Sequence, residues 1–438
     1  MADDSQALPA QRAFLEHRQP LRVAINAQIH PERGHGGVVH ALVGLLLALG
    51  RLEDGPEQYT VIGPESEPEW LRPYMAPNQQ LVRGPAGALQ PGSLPASLRK
   101  FRTLAGRILA PQGLRSVSRI NVPVSDGFFE SLGCDVIHFP YQVFTTSSLP
   151  SVYQPWDLQH LHYPQFFSPE DLAWRETVYR EGCRSAHTVV VASPFAKADV
   201  VRSYGVPPDR LQVIPMAPPA THFREPDDET MRQVGTKFGI EPPFALYPAV
   251  TWPHKNHVRL LEALAQLRDS KGFSVHVVCT GHHNDHWPTI GEKLLELSLQ
   301  GQVRFLGEVT GDELRALYRL CEFVILPSLF EGAGLPLLEG WLEEAPVACS
   351  GVTALRDYAG DAARLFDPTS VQEVAEAIEE MATNAQCRER FRRKGRQRLA
   401  HFTWESTART FRAVYRRAAG LPLGSEDQQL LDHSWPET

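Results

Sequence analysis

The sequence predicts an α/β protein made of two Rossmann-like domains in series. Short apolar runs typical of buried parallel strands alternate with helical segments, and this alternation occurs twice along the chain. A segment rich in proline and charge, 218–228, separates the two halves and is typical of a linker. The length of 438 residues supports the division, because it accommodates two domains of about 150 to 220 residues, each with its own core.

The first half begins with a strand, a turn that contains glycine, and a helix. The apolar run 22–27 predicts the strand, Gly34, Gly36 and Gly37 lie in the turn, and the segment 38–49 predicts the helix. Glycines at such a turn let a ligand approach the backbone and the helix N-terminus closely. Further strands of this half are predicted at 59–63, 135–139, 188–192 and 211–215.

The second half repeats the alternation and then changes to helices alone. Its strands are predicted at 244–249, 274–280, 303–306 and 321–326, with helices at 257–268, 291–299, 312–320 and 335–344. The helices predicted after them lie at 371–383, 387–401 and 404–419. The predicted division is a flexible N-terminal segment 1–20, domains at 21–220 and 221–405, a C-terminal helix 406–419 that can cross back to the first domain, and a flexible tail 420–438.

Composition and charge narrow the class of protein. The chain has 43 basic and 51 acidic residues and a net charge of −8, whereas nucleic-acid-binding proteins usually carry a basic excess. Nucleic acid is therefore not an expected partner. The six cysteines are widely spaced, and the chain shows neither an apolar N-terminal region nor an apolar run long enough to span a membrane. These features predict reduced thiols in a cytoplasmic protein.

One segment suggests contact with a membrane. The stretch 99–119 contains six basic residues, no acidic residue, and apolar side chains between them. Such a segment either binds an anionic membrane surface or forms an ordinary solvated helix. The solvated helix is the favoured interpretation, and peripheral binding at the inner face of the membrane is the alternative.

The segment 327–340 is the most informative part of the chain. It joins a predicted buried strand to a predicted helix through a glycine-rich turn, with Glu331 in the turn and Glu339 in the helix. A ligand at such a helix N-terminus meets free N–H groups and the positive end of the dipole, which suits diphosphates and sugar hydroxyls. The two carboxylates are predicted to bind opposite ends of an extended ligand. In the alternative interpretation, Glu331 caps the helix and Glu339 is solvated.

Three further residues are candidates for chemistry. Lys255 follows a predicted buried strand and can neutralise a diphosphate leaving group, although most lysines are simply exposed. Asp157 and His160 lie in a loop, 156–164, whose polar and aromatic residues are typical of an acceptor pocket. The alternatives are a local Asx turn for Asp157 and a satisfied core histidine for His160.

The histidine-rich segment 282–286 suggests a metal site by composition alone. It lacks the ligand spacing of known sites and lies in a predicted loop, so a solvated loop is the favoured interpretation. The sequence therefore predicts neither a metal nor another cofactor.

With these residues the chain resembles glycosyltransferase family 4. The resemblance spans 22–418 and rests on the E-G-x-G-L-P-x-x-E segment 331–339, on the Lys-Asn pair at 255–256, and on Gly36 and Gly37. It implies the GT-B fold, in which two Rossmann-like domains with parallel sheets face each other across a cleft. It also implies transfer of a sugar from a nucleotide donor, bound by the second domain, to an acceptor bound by the first. The resemblance also implies that the reaction retains the anomeric configuration of the sugar and needs no metal.

The resemblance further implies roles for individual residues. Lys255 would bind the donor diphosphate, Glu331 the hydroxyls of the donor sugar, and Glu339 the ribose. Gly36 and Gly37 would approach the phosphates from the first domain. Backbone N–H groups at the helix N-terminus would come from Gly332, Ala333, Gly334 and Leu335.

Three positions depart from the family pattern. Ala249 replaces a frequent arginine six residues before the lysine, so another residue must meet the charge of the diphosphate, and His254 is a candidate. Trp156 replaces a frequent histidine of the acceptor loop, and His160 is the candidate substitute. Ala333 replaces a frequent phenylalanine, which would widen the donor-sugar end of the site.

The predicted function is transfer of a hexose to a hydroxyl of a glycan, a lipid-linked acceptor or a small-molecule acceptor. The Lys-Asn pair slightly favours GDP-mannose as the donor over UDP-glucose. A sugar phosphorylase or a nucleotide-sugar epimerase on the same scaffold is the first alternative. A catalytically silent nucleotide-sugar-binding protein is the second, although the presence of Lys255, Glu331 and Glu339 argues against it.

Overall fold

Two parallel β-sheets, each covered by helices, form the protein, whose computed structural model describes residues 20–29, 36–85 and 120–436. The strands of the first sheet are β1 Arg22–Asn26, β2 Gln58–Gly63, β3 Gln79–Arg83, β4 Val136–Phe139, β5 Ser151–Tyr153, β6 Thr188–Val191 and β7 Leu211–Val213. They pair in parallel in the order β3-β2-β1-β4-β5-β6-β7. Strand β6 is an unbroken run of buried β-branched residues, as expected for a strand that is covered on both faces.

Helices of the first half follow these strands. They are α1 Gly36–Gly50, α2 Phe128–Ser131, α3 Gln159–His162, α4 Pro169–Ser185 and α5 Pro194–Tyr204. Local chemistry sets the bounds of α5, because the Ser193 side chain accepts a hydrogen bond from the Ala196 N–H and Gly205 ends the helix at φ 64°.

The second sheet has six parallel strands. They are β8 Ala245–Pro248, β9 Val277–Thr280, β10 Val303–Phe305, β11 Phe323–Leu326, β12 Val347–Ser350 and β13 Arg364–Phe366, in the order β10-β9-β8-β11-β12-β13. The accompanying helices are α6 Asp228–Phe238, α7 His257–Lys271, α8 Trp287–Glu296, α9 Gly311–Leu320, α10 Leu335–Leu342, α11 Thr353–Ala359, α12 Val371–Thr383 and α13 Ala385–Leu399. Two parallel α/β domains are therefore present, as the sequence predicted.

Several elements were missed or misplaced from the sequence. Strands β5 and β13, which have three residues each and begin with a polar residue, were not predicted, and neither was β3, an edge strand with mixed burial. Helix α8 begins at Trp287 rather than at the predicted residue 291, because Pro288 is well suited to its first turn. The domain boundary between residues 220 and 221 stays a prediction.

The prediction of a flexible tail over 420–438 is wrong for most of that segment. Residues Ser425–Asp432 form a further helix, α15, and Trp435 packs edge-on against the ring of Tyr358. The Gln212 side chain of β7 donates a hydrogen bond to the Leu431 carbonyl at 2.9 Å. A short polar helix that buries only a few apolar side chains gives little signal in the sequence, whereas tertiary contacts fix it in place.

The preceding helix, α14 Trp404–Ala418, lies against the first domain. It packs on α1, and the Tyr415 hydroxyl lies 2.8 Å from Nδ1 of the buried His138. Arg416 pairs with Glu57 at 2.6 Å, which adds a charged contact between the helix and the first domain. The end of the chain therefore connects both domains.

Loops of the two domains meet where their strands end. The Tyr358 hydroxyl donates to the Ala192 carbonyl and accepts from the Met216 N–H, both at 2.9 Å. Asp357 accepts a hydrogen bond from the N–H of Phe195 at the start of α5, at 2.6 Å. The carboxyl ends of both sheets consequently border one interdomain cleft.

Two expectations about the membrane and the N-terminus concern other parts of the chain. The basic stretch 99–119 and the N-terminal segment 1–19 lie outside the described residues. Within the described ranges, every helix is too short or too polar to cross a bilayer.

Candidate active site

Lys255 and Glu331 form the centre of the candidate site. Lys255 ends a short turn after β8, and Glu331 follows the neighbouring strand β11, so the two loops meet at the same edge of the sheet. The Lys255 ammonium lies 2.6 Å from Glu331 Oε1, and both side chains are mostly buried. The interpretation of Lys255 as an ordinary exposed lysine is therefore excluded.

The turn that carries Lys255 is fixed by its neighbours. Asn256 adopts a left-handed conformation at φ 64°, and its side-chain amide donates to the carbonyls of Pro327 and Pro368. The Leu329 N–H donates to the His254 carbonyl at 2.8 Å. These bonds join the two loops and hold the lysine in place before any ligand binds.

The glycine-rich turn after Glu331 is closely packed. A Cβ added at Gly332 would lie 2.7 Å from the Trp156 carbonyl oxygen of the first domain, and one added at Gly334 would lie 3.0 Å from Tyr358. Only glycine fits the first position without movement of the backbone. The two domains therefore touch each other directly at this turn.

The alternative interpretations of the two glutamates do not hold. Helix α10 begins after Gly334, which has no capping side chain, and Glu331 does not cap it. Glu339 is partly buried and accepts a hydrogen bond from the Tyr318 hydroxyl at 3.0 Å. Burial raises the pKa of Glu339 to about 7, with a further contribution from the charge of Glu343. The two carboxylates lie before and within the first two turns of α10, as the sequence predicted.

On the opposite wall, Asp157 reaches the same turn. Its Oδ2 would lie 3.2 Å from a Cβ at Gly332, while its Oδ1 accepts the Gln159 N–H at 3.0 Å in a local Asx turn. Burial raises the pKa of Asp157 above its usual range. The predicted site residue and the alternative Asx-turn role are thus compatible.

The side chain of Trp156 does not offer a polar group to the cleft. It is buried at φ 70°, and its indole N–H donates to the Pro140 carbonyl at 2.9 Å. The family's frequent histidine therefore has no counterpart at this position.

His160 lies in the core rather than in the cleft. It is buried against the ring of Tyr179, and Nε2 lies 3.3 Å from the Tyr204 hydroxyl. Burial lowers its pKa to about 4, so the ring is neutral at physiological pH. The expectation that His160 acts on an acceptor is corrected by this position, because its side chain has almost no exposed surface.

A histidine that the sequence analysis missed lies beside the cleft instead. The ring of His162 packs on Phe330, the residue before Glu331, with centroids 5.0 Å apart. Its Nε2 lies 2.8 Å from the buried Asp199, and a third of the side chain is exposed. The sequence shows two histidines, at 160 and 162, but it does not tell which of them points into the core and which lies beside the cleft.

The early glycines lie opposite the second domain. A Cβ at Gly37 would lie 3.4 Å from Leu335 Cδ1, so the N-terminal ends of α1 and α10 are close together. Gly36 is the first residue of α1, and Gly34 lies outside the described residues. Two helix N-termini that converge on one cleft create a favourable environment for an anion.

Neither Ala249 nor His254 adds a positive charge to the site. Ala249 is buried and apolar. Burial lowers the pKa of His254 well below its usual value, and the neighbouring charges of Lys255 and Arg175 lower it further. His254 is therefore neutral at physiological pH in this structure and does not supply a second positive charge.

The histidine-rich segment 282–286 does not gather metal ligands. His283 stacks on Trp287 at 3.7 Å, and His282 lies 3.4 Å from the exposed Glu308. In the part of the chain that the structure describes, no group of three or more His, Cys, Asp or Glu side chains could hold a metal ion.

Comparisons with known proteins agree with this architecture. A family described as "Glycosyltransferase Family 4" matches residues 59–217, and one described as "Glycosyl transferases group 1" matches residues 228–398. O-antigen chain mannosyltransferase B of Escherichia coli is 26% identical over 259 residues, which are 59% of this chain and 68% of that protein. The chain spans between 22% and 58% of the length of further mannosyltransferases that it matches.

Solved structures show the same fold at low sequence identity. Sucrose-phosphate synthase from Thermosynechococcus elongatus has a TM-score of 0.67 at 18% identity, over 91% of this chain and 98% of that one. The Anabaena protein HepE, solved in complex with UDP and glucose, has a TM-score of 0.64 at 16% identity, over 91% of this chain and 100% of that one. The fold is therefore GT-B.

Proposed function

The chain belongs to glycosyltransferase family 4, and from this premise we propose that it transfers a hexose from a nucleotide-sugar donor to an acceptor hydroxyl with retention of configuration and without an essential metal. Mannose from GDP-mannose is the favoured donor, because the curated relatives compared above are mannosyltransferases. UDP-glucose is the second choice, since a structural neighbour was solved with UDP and glucose. The acceptor is a glycan, a lipid-linked sugar or a small molecule.

The observation that carries the proposal is the ion pair between Lys255 and Glu331 at the N-terminus of α10. A diphosphate in the cleft would displace Glu331 from the lysine, and the freed carboxylate would accept hydroxyls of the donor sugar. Glu339, further along the helix, would accept the hydroxyls of the ribose. The first domain, proposed as 21–220, would bind the acceptor, and the second, proposed as 221–405, would bind the donor.

The transition state would carry positive charge on the sugar and growing negative charge on the leaving diphosphate. Lys255, the N–H groups of residues 332–335 and the N-terminus of α1 would stabilise the diphosphate, and they are already oriented in a narrow cleft. The leaving phosphate would take the proton of the acceptor hydroxyl on the same face of the sugar. No covalent sugar–enzyme bond is required on this path.

Donor binding and product stereochemistry test the proposal. We expect GDP-mannose or UDP-glucose to bind by calorimetry and to be turned over in the presence of acceptor sugars and EDTA. Proton NMR of the early product should show the same anomeric configuration as the donor. Inversion of configuration would contradict the retaining mechanism. A trapped sugar–enzyme adduct in mass spectrometry would contradict the path without a covalent intermediate, and loss of activity in EDTA would contradict metal independence.

The same experiments separate the alternative functions. A dependence on inorganic phosphate would indicate a sugar phosphorylase, and turnover of the donor into its epimer without an acceptor would indicate an epimerase. Binding without any turnover over a broad set of acceptors would favour a silent binding protein.

A further inference from the structure

The donor side of the cleft is short of positive charge for a diphosphate. Lys255 supplies one charge, and Glu331 pairs with it at 2.6 Å. Ala249 is apolar, and His254 is neutral at physiological pH because burial lowers its pKa. A nucleotide diphosphate carries more than one negative charge, so Lys255 alone does not balance it.

Arg175, on α4 of the first domain, contacts a hydroxyl group and an aromatic ring but has no carboxylate partner among the described residues. Its guanidinium donates to the Tyr179 hydroxyl at 2.7 Å and lies 4.7 Å from the centroid of the Phe167 ring. It makes no ion pair with any described residue. Other arginines of the same helix do, since Arg180 pairs with Glu176 and Arg184 pairs with Glu181.

Arg175 also lies close to the candidate site. Helix α4 packs on α3, which directly follows the loop that brings Trp156 and Asp157 against Gly332. The positive charge of Arg175 acts on Asp157 of its own domain, where it partly offsets the rise in pKa caused by burial, and on His254 of the second domain, where it lowers the pKa further. The packing of α4 on α3 and these two charge effects together place Arg175 within electrostatic range of both walls of the cleft.

We propose that Arg175 supplies, from the first domain, the second positive charge that neutralises the diphosphate of the nucleotide-sugar donor. This inference rests on the proposed function. The planar guanidinium can bind two phosphate oxygens at once, and its stacking on Phe167 and bond to Tyr179 hold it in an orientation from which little freedom is lost on binding. Because the donor would then touch charges of both domains, it would also favour the closed cleft.

Calorimetric titration of Arg175 variants tests the proposal. GDP, UDP and the two nucleoside monophosphates would be titrated at low and high salt into wild type, Arg175→Ala, Arg175→Lys and Arg184→Ala. Arg184 is the matched control, because it lies on the same helix, is 71% exposed and already has a carboxylate partner. Circular dichroism would establish that each variant folds.

We expect Arg175→Ala to weaken the better-bound nucleoside diphosphate by about 10- to 100-fold, with a smaller effect on the monophosphate. The salt dependence of diphosphate binding should become shallower, because one charge contact is lost. Arg175→Lys should recover part of the affinity, since it keeps the charge without the bidentate geometry. Arg184→Ala should bind as wild type does.

The outcomes distinguish this inference from the proposed function. If wild type binds diphosphates and Arg175→Ala binds them equally well with the same salt dependence, the role of Arg175 is overturned while the function stands. Unchanged diphosphate affinity with a raised KM for the acceptor would overturn it as well, in favour of acceptor binding. If wild type binds no nucleotide, the proposed function itself fails.

Discussion

The two walls of the cleft, for which we propose donor binding and acceptor binding and which we call the donor wall and the acceptor wall, are built in different ways. On the donor wall, Lys255, Glu331 and Glu339 follow the ends of adjacent strands β8 and β11 of one sheet. On the acceptor wall, the loop after β5 brings Asp157 to the cleft but turns His160 into the core. A strand end fixes the direction in which the chain leaves the sheet, whereas a loop and a one-turn helix leave each side-chain direction to tertiary packing.

The largest expected effect tests the donor wall. Lys255→Ala should reduce kcat by the equivalent of about 2.7–4 kcal/mol, because a pre-oriented charge next to the leaving group is lost. Initial-rate kinetics with the donor identified above measures this. Lys271→Ala is the control, since that lysine pairs with Glu379 and is 45% exposed. Turnover of Lys255→Ala close to that of wild type would remove the lysine from the proposed mechanism.

The next prediction sharpens the difference between the two histidines of the acceptor loop. His160→Ala should lower the free energy of unfolding by about 2 kcal/mol or more, because a buried ring is replaced by a cavity. His162→Ala should lower turnover more than stability, because its ring is partly exposed beside Phe330. Urea denaturation and kinetics on the same samples compare them. If His160→Ala instead lowered turnover and His162→Ala lowered stability, His160 would be the functional residue.

A third prediction tests the contact between the walls. Gly332→Ala should destabilise the closed protein by about 1–3 kcal/mol, because the new methyl group would meet the Trp156 backbone at 2.7 Å. The variant should also gain less thermal stability from a bound nucleotide than wild type does. Gly291→Ala has open space around the new methyl group and lies within helix α8, so this control should be as stable as wild type or up to about 1 kcal/mol more stable. Equal behaviour of the two variants would mean that the domains separate at Gly332 without penalty.

The smallest expected effect concerns Glu339, whose raised pKa of about 7 predicts two opposite dependences on pH. The folded protein binds this proton more tightly than the unfolded chain does, so its contribution to stability falls as pH rises from the ordinary carboxyl range to about 7. Nucleotide affinity should instead rise over the upper part of this range, because in the proposed function the ionised carboxylate would accept hydrogen bonds from both ribose hydroxyls.

The variant Glu339→Gln removes the titrating carboxyl group and therefore tests the pH dependence of both stability and nucleotide affinity. The variant should gain stability relative to wild type near pH 8, by roughly 1 kcal/mol or more. It should also bind the nucleotide more weakly there, with a flatter pH profile. Melting temperatures and calorimetric affinities at pH 6 and pH 8 measure both. Parallel profiles for wild type and Glu339→Gln would show that the carboxylate does not titrate in this range.

Most of the fold and part of the site could be predicted from the sequence. Runs such as Thr188–Val191 and Phe323–Leu326 are apolar throughout, as buried parallel strands require, and capping residues set helix ends such as that of α5. The three-residue strands β5 and β13 were missed because each begins with a polar residue and contains only two side chains of an apolar run. The helix at Ser425–Asp432 was missed because its order depends on contacts with distant residues such as Gln212.

The sequence by itself determined most of the elements, the parallel arrangement and the chemical types of Lys255, Glu331 and Glu339, because strand burial, helix capping and glycine turns are local properties. Only the tertiary structure decided which residues meet. Lys255 and Glu331 are 76 residues apart and pair because β8 and β11 are neighbours in the sheet. Helix packing and interdomain contact place His162 rather than His160 beside the cleft, and they bring Arg175, which has no ion-pair partner among the described residues, close to it. Contacts between residues so far apart along the chain leave no periodic pattern in a single sequence.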